Sequence, residues 1–173
     1  GLGQLGQRET HLATAGLSTG VTPALPVPVV AVEQQITMLD GQLLGAPNGL
    51  PDGVTVLSLN EALERGVSGL RSLLESLPAS KQKEMSADGF TALNTATLGT
   101  GVVIHVSGGV DAGRLLMTWS TLNEDIARLF NSRICVMLEP AAKLELLEQF
   151  ETPHMNANTR NVVLQVELGA GAR

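Results

Sequence analysis

Three stretches in the C-terminal part of the chain can be laid over one another with their apolar residues in step, and this repeat limits the possible folds more than any other feature. They are VVIHVSGGVD from Val102, SRICVMLEPAAK from Ser132 and VVLQVELGAGAR from Val162. In the overlay Val102, Ile134 and Leu164 coincide, then Ile104, Val136 and Val166, then Val106, Leu138 and Leu168, at offsets of 32 and 30 residues. Apolar residues at every second position are the mark of a strand. Each strand runs into a small-residue corner: Gly108-Gly109, Pro140-Ala141-Ala142 or Ala170-Gly171-Ala172. After the first two corners come second strands, at 114–119 and 144–150. Self-similarity at a period of roughly 20–50 residues marks solenoids and related arrays. A unit of strand, corner, strand and loop cannot bury its inward side alone, so units must stack. The expected architecture is a parallel β-solenoid, with an antiparallel sandwich of similarly spaced strands as the rival. Three rungs would leave an open edge that native proteins cap or cover, so the natural protein is expected to continue past Arg173.

Upstream of the repeat the signals change. Residues 1–15 show no clear period, and 16–32, GLSTGVTPALPVPVVAV, carry three prolines that disfavour both helix and central strand. This is a linker or an extended arm. In ITMLDGQLL the pair Asp40-Gly41 separates two short apolar runs and predicts a hairpin over 35–44. The turn cluster APNGLPDG leads into a strand at 54–57. Ser58 and Glu61 then fit a capping box that opens a helix. Leu59, Leu63, Val67, Leu70, Leu74 and Leu77 recur at helical spacing up to Pro78, weakened by Gly66 and Gly69 at about 1 kcal/mol each. ASKQKEMS reads as a loop. Asp88 then caps a short helix with Phe90, Leu93 and Leu98 on one side, ended by Gly99 to Gly101. The domain organisation expected is an arm and Pro-rich linker at 1–35, an α+β region at 36–100, and solenoid rungs at 101–173.

Composition removes several functions. A net charge of −6, with only 11 Lys and Arg spread thinly, offers no basic stripe for a phosphate backbone. Three Phe, one Trp and no Tyr leave few faces for stacking on bases or sugars. No apolar run approaches the roughly 20 residues of a membrane span, and the N-terminus lacks the pattern of a secretory signal. A cytoplasmic protein with no nucleic-acid or membrane partner is expected. A single Cys excludes an internal disulfide.

The residues able to carry chemistry are few. Cys135 is the only thiol, whereas an iron–sulfur site within one chain typically needs several thiolates. Between Ile134 and Val136 it points away from its apolar neighbours, to an outer or second buried face. His105 has the same outward phase one rung earlier. His154 sits in TPHMNAN without a second ligand at the spacing zinc favours, and His11 lies in the irregular N-terminus. Cys135, His105 and His154 are the only candidates for a metal, and no metal, cofactor or catalytic set is assigned. There is no nucleophile elbow, and Ser107-Gly108-Gly109 reads as a rung corner; nor is there a phosphate loop of the G-x-x-x-x-G-K-[ST] kind. Glu145, Glu148 and Glu151 at three-residue spacing read as solvated surface charge rather than paired catalytic carboxylates.

In order along the chain, ITMLDGQLL, LPDGVTVLSLNEAL, FTALNTATLGTGVVIHVSGGV, VMLEPAAKLELLEQF and VVLQVELGAGAR resemble the blocks of the SufB/SufD scaffold proteins of the SUF iron–sulfur cluster assembly system, on the SufD side. The resemblance covers 36–173. It implies a mostly helical N-terminal region followed by a right-handed parallel β-helix, and assembly with a SufC ATPase and a SufB-like subunit. An aromatic-rich block near the N-terminus and the C-terminal half of the family's β-helix are absent. The family's Cys and His credited with cluster chemistry belong to that half, so none carries over.

The fold expected is thus mainly β with an α-containing N-terminal part and right-handed parallel β-helix rungs. The function expected is a non-catalytic scaffold acting through protein contacts. It binds no cofactor itself, the cluster being handled by the parent complex, and homodimerisation through open edge strands is a further expectation. The alternatives are a β-helix carbohydrate-active enzyme and a structural solenoid such as an adhesin.

Overall fold

Val, Ile and Leu at every second position favour pleated strands whose alternate side chains enter a core, and strands dominate the computed structural model. It describes residues 34–45, 47–75, 89–121, 128–151 and 158–173. All belong to one compact unit, Ala31–Arg173. The arm and linker at 1–32, the loop at 79–86, Leu77, Pro78, the Asp88 cap, His11 and His154 lie outside the described residues. The elements in chain order are β1 (Gln34–Leu39), β2 (Gln42–Leu43), β3 (Val54–Ser58), α1 (Leu59–Glu64), α2 (Leu70–Glu75), α3 (Gly89–Ala96), β4 (Thr100–Val106), β5 (Asp111–Ser120), β6 (Leu129–Leu138), β7 (Lys143–Phe150) and β8 (Thr159–Leu168).

These strands form two four-stranded sheets, ordered β2-β1-β5-β7 and β3-β4-β6-β8. The overlay of the three repeats is realised as pairing: Val102 lies opposite Ile134 and Ile134 opposite Leu164, with β4, β6 and β8 parallel throughout. In the other sheet β1, β5 and β7 are parallel.

The parallel β-helix expected from the repeat is nevertheless not the architecture. Both sheets are mixed, because β2 joins β1 antiparallel and β3 joins β4 antiparallel. Three helices among the described residues add to this, so the chain is mixed α/β rather than mainly β. The repeat governs only 100–168 and is silent about what closes the first edge of each sheet. One closing strand comes from the two-residue hairpin turn, where Asp40 and Gly41 both take positive φ, 49° and 81°. The other comes from β3, which runs opposite to β4 and pairs over all of its own five residues with Val102 to Val106.

The main core lies between the sheets. Ile36 and Met38 of β1, Val56 of β3, Val102 and Ile104 of β4, Leu115, Met117 and Trp119 of β5, and Ile134 of β6 meet there with almost no exposure. Each such side chain contributes roughly 1.5–3 kcal/mol. A second, smaller core lies on the other face of the β3-β4-β6-β8 sheet, where Leu59 and Ala62 of α1 and Leu70 and Leu73 of α2 cover Val103, Cys135 and Met137. Strand β6 is therefore buried on both faces, which explains its nearly unbroken apolar run from Ile134 to Leu138.

The long helix expected from Leu59 is two short ones. Ser58 accepts the amide of Glu61 at 3.2 Å as its cap. The chain then breaks at Gly66 and Gly69, which take φ of +67° and +78°. Apolar spacing continued across the break because both helices bury the same side. In α3 the fully buried residue is Asn94; of the expected apolar side, Leu93 and Leu98 are half-buried, Leu98 packing on the second core, whereas Phe90 is largely exposed. No helix among the described residues is long and apolar enough to cross a membrane.

Gly101 marks the closest approach in the stack: a Cβ built there would lie 2.0 Å from the carbonyl oxygen of Arg133, its partner in β6. Gly101→Ala is expected to cost about 2–4 kcal/mol, whereas Gly89→Ala, which meets nothing, is expected to be neutral or slightly stabilising. Denaturant unfolding followed by Trp119 fluorescence measures both. A Gly101→Ala chain as stable as the parent would show that the strands do not approach this closely.

Candidate functional site

The repeat that builds the core also exposes it at one end. Ile134, Val136 and Leu138 of β6 are covered, but their equivalents on β8, Leu164, Val166 and Leu168, are 48%, 49% and 57% exposed. Across the core on β7, Phe150 is also about half exposed. It stacks on Trp119 with ring centroids 5.9 Å apart, while Arg160 lies over its ring at 5.8 Å. The outer edge of β8 pairs with no other strand among the described residues, and that of β7 is taken up only at its start, where the Leu144 amide donates to the Arg173 carbonyl at 3.0 Å. Two strand edges thus flank a strip of apolar floor. Unpaired backbone donors and acceptors beside exposed Leu and Val side chains are the features that accept an added strand.

The two predicted metal candidates among the described residues, Cys135 and His105, do not form a site. Cys135 is fully buried in the second core beneath α1 and α2. Burial pushes its thiol up to about 11, against a weaker opposing pull from the Arg133 guanidinium. A thiol held neutral and covered is chemically quiet. His105 is partly exposed and its Nε2 lies 3.2 Å from Glu139 Oε1. The other Glu139 oxygen accepts the Gly108 amide at 2.8 Å, so this carboxylate clips one corner to the next. His154 is outside the described residues. Among the described residues no group of three or more His, Cys, Asp or Glu side chains is placed to hold a metal ion.

The three glutamates are each tied to the rung before. Glu145 accepts Arg114 Nε at 2.9 Å, Glu148 accepts Trp119 Nε1 at 3.1 Å, and Glu151 accepts Ser120 Oγ at 2.7 Å. Nearby, Asp111 is held below the usual carboxylate range first by the Gly113 amide and then by Lys143. Arg114, Lys143 and Glu145 line a shallow open groove of about 470 Å³ with Asp111. These are rung-to-rung ladders whose charges pair among themselves.

A cluster that sequence reasoning missed lies between β6, β8 and α3. Arg133 is 1% exposed, and its guanidinium donates to Asn94 Oδ1 at 2.9 Å, Thr95 Oγ1 at 3.1 Å and Gln165 Oε1 at 2.6 Å. Asn94 in turn donates to the carbonyls of Ser132 and Asn161, both at 2.9 Å. Asn161 donates to Asn131 Oδ1 at 2.8 Å and to the carbonyl of Phe90 at 2.7 Å. Gln165 reaches the carbonyl of Leu73 in α2. One signal was available: Asn131 and Asn161 coincide in the 30-residue overlay, and stacked amides at one repeat position suit a ladder. The docking of α3 onto them left no such trace.

Comparison of the chain with protein-family models and with curated proteins gives no match.

The environment of Cys135 sets an alkaline pH dependence. Between the ordinary value of 9.0 and about 11 the unfolded chain releases the thiol proton while the folded chain keeps it, so stability falls as pH rises through that window. The slope is about 1.4 kcal/mol per pH unit, and the chain has no Tyr to add to it. Denaturant midpoints at pH 8 and pH 10.5 are expected to separate more in the parent than in Cys135→Ala. Equal separation, or rapid labelling of the native thiol by an aromatic disulfide reagent, would contradict the buried site.

Proposed function

We propose that this chain is a non-catalytic scaffold element of iron–sulfur cluster assembly, of the SufB/SufD kind, working in the cytoplasm through contacts with other proteins. One observation carries the contact mode: the apolar row of Leu164, Val166 and Leu168, about half exposed along a strand whose outer edge pairs with no other strand among the described residues. Rung upon rung is the way this protein already buries Val102 against Ile134 and Ile134 against Leu164. A further strand that continues this stack is what fits there, supplied by chain beyond Arg173 or by a SufB-like partner. Its backbone would complete the edge and its alternate apolar side chains would cover the row. The order of sequence blocks supports the assignment to cluster assembly, and hydrolysis of ATP belongs to a separate SufC-type subunit. The cluster is cargo of the whole assembly and not a resident group of this chain. Against a carbohydrate-active enzyme stands the engagement of Glu145, Glu148 and Glu151 in ladder hydrogen bonds.

The decisive experiment is affinity purification of the protein from its own cells under anaerobic conditions. Co-purification of a SufC-type ATPase with a SufB-like subunit is the expected result, and recovery of the protein alone would sink the assignment. The double variant Leu164→Lys, Val166→Lys is expected to lose the SufB-like partner while keeping parental Trp119 fluorescence, since neither position lies under another strand. Retained binding by a folded double variant would move the contact elsewhere.

A further inference from the structure

Helices usually dock by an apolar stripe, and α1 and α2 do so through Leu59, Ala62, Leu70 and Leu73. Helix α3 does not. Its buried residue is Asn94, Phe90 faces largely outward, and no residue of α3 belongs to either apolar core. Its described side-chain contacts with the sheet are hydrogen bonds: Asn94 to two strand carbonyls, Arg133 to Asn94 and Thr95, and Asn161 to the Phe90 carbonyl.

The closed arrangement holds an internal opposition. Arg133 is almost fully buried, and its described partners are all neutral: an amide oxygen from Asn94, another from Gln165, and the Thr95 hydroxyl. Burying a guanidinium without a carboxylate carries a desolvation penalty that neutral acceptors offset only in part. Burial accordingly lowers the pKa of this Arg. Release of α3 would return the guanidinium to water and remove that penalty; of the helix's own apolar side chains Phe90, Ala92 and Ala96 are exposed and only Leu93 is half-buried, while Leu98, which packs on the second core, lies beyond the helix. Hydrogen bonds exchanged for bonds to water contribute only modest net stability. The balance holding α3 down is therefore far smaller than the one holding β6.

We propose that α3 is a polar latch, a helix that opens as a unit from the β6–β8 face while both sheets stay folded, and whose opening uncovers the guanidinium of Arg133. Elements that move on their own are those with few buried apolar contacts, and α3 is the described helix that fits. The exposed group would be a fixed cation on a strand, the chemistry that accepts a carboxylate or phosphate oxygen. The inference is independent of the proposed role in cluster assembly.

Native-state amide hydrogen exchange on the full chain tests it. Amides of 93–97 are expected to exchange at least about 100-fold faster than those of β4 and β6, where opening requires loss of the core. Asn94→Ala, which removes both carbonyl contacts and an acceptor of Arg133, is expected to accelerate exchange in α3 about tenfold or more and leave 102–106 unchanged. Labelling of Cys135, which lies under α1 and α2 rather than α3, should also stay unchanged. Exchange of α3 at the rate of β4 and β6 in the parent chain would overturn the latch, and so would an Asn94→Ala variant that loosens α3 and both strands together. Thr95→Val removes one Arg133 contact and keeps the helix, so a smaller acceleration confined to α3 is expected from it, and none would count against the latch.

Discussion

Parallel strands stacked in step at intervals of about thirty residues are the constraint on which the rest of this structure depends. Because Val102, Ile134 and Leu164 share one row, and Ile104, Val136 and Val166 the next, each strand covers the apolar side chains of the one before it. The corners follow the same rule. The Glu139 amide bonds to the Val106 carbonyl, Gly169 to that of Leu138, and Ala141 to that of Ala170. Even the charged residues obey it, since Arg114 with Glu145 and Lys143 with Asp111 are neighbours across one step of the stack. Burial, turn geometry and surface ion pairs are thus consequences of a single register.

That register also places the exposed row on β8 and the polar cluster beneath α3. Covering each strand by the next leaves the row at β8 half exposed among the described residues. It also stacks Asn131 on Asn161 and brings Gln165, two positions along from Arg133's partner Val163, within hydrogen-bond reach of Arg133, which creates a polar strip on an otherwise apolar sheet. Helices α1 and α2 cover the apolar part of that outer face, and α3 covers the polar part. The two modes of docking differ because the strand beneath them changes character between Arg133 and Cys135, two residues that share a face.

Among the described residues Cys135 and His105 do not come together as a site, for physical reasons that the residues around them make plain. Cys135 has the outward phase of an accessible strand thiol, yet two helices cover it. His105 shares that phase, and Glu139 of the next rung takes it up. In each case alternation correctly indicated which side of the strand the residue occupies. What lies on that side is decided by segments tens of residues away.

Alternation, corner residues and the capping Ser58 were legible from sequence because they are local: a two-residue period, an Asp-Gly turn and an orphan amide need only their neighbours. The repeat offsets of 32 and 30 residues likewise determined which strands pair and in what register, since only that register keeps every apolar row inward. Tertiary structure alone decided that β2 and β3 close the sheets antiparallel, making two mixed sheets instead of a β-helix, because edge closure depends on chain outside the repeat. It alone decided that the helix after Ser58 breaks at Gly66 and Gly69 and that α3 turns Asn94 inward. A buried guanidinium and the carbonyls beside it could be satisfied there, and no pattern within α3 records what the sheet beneath it requires.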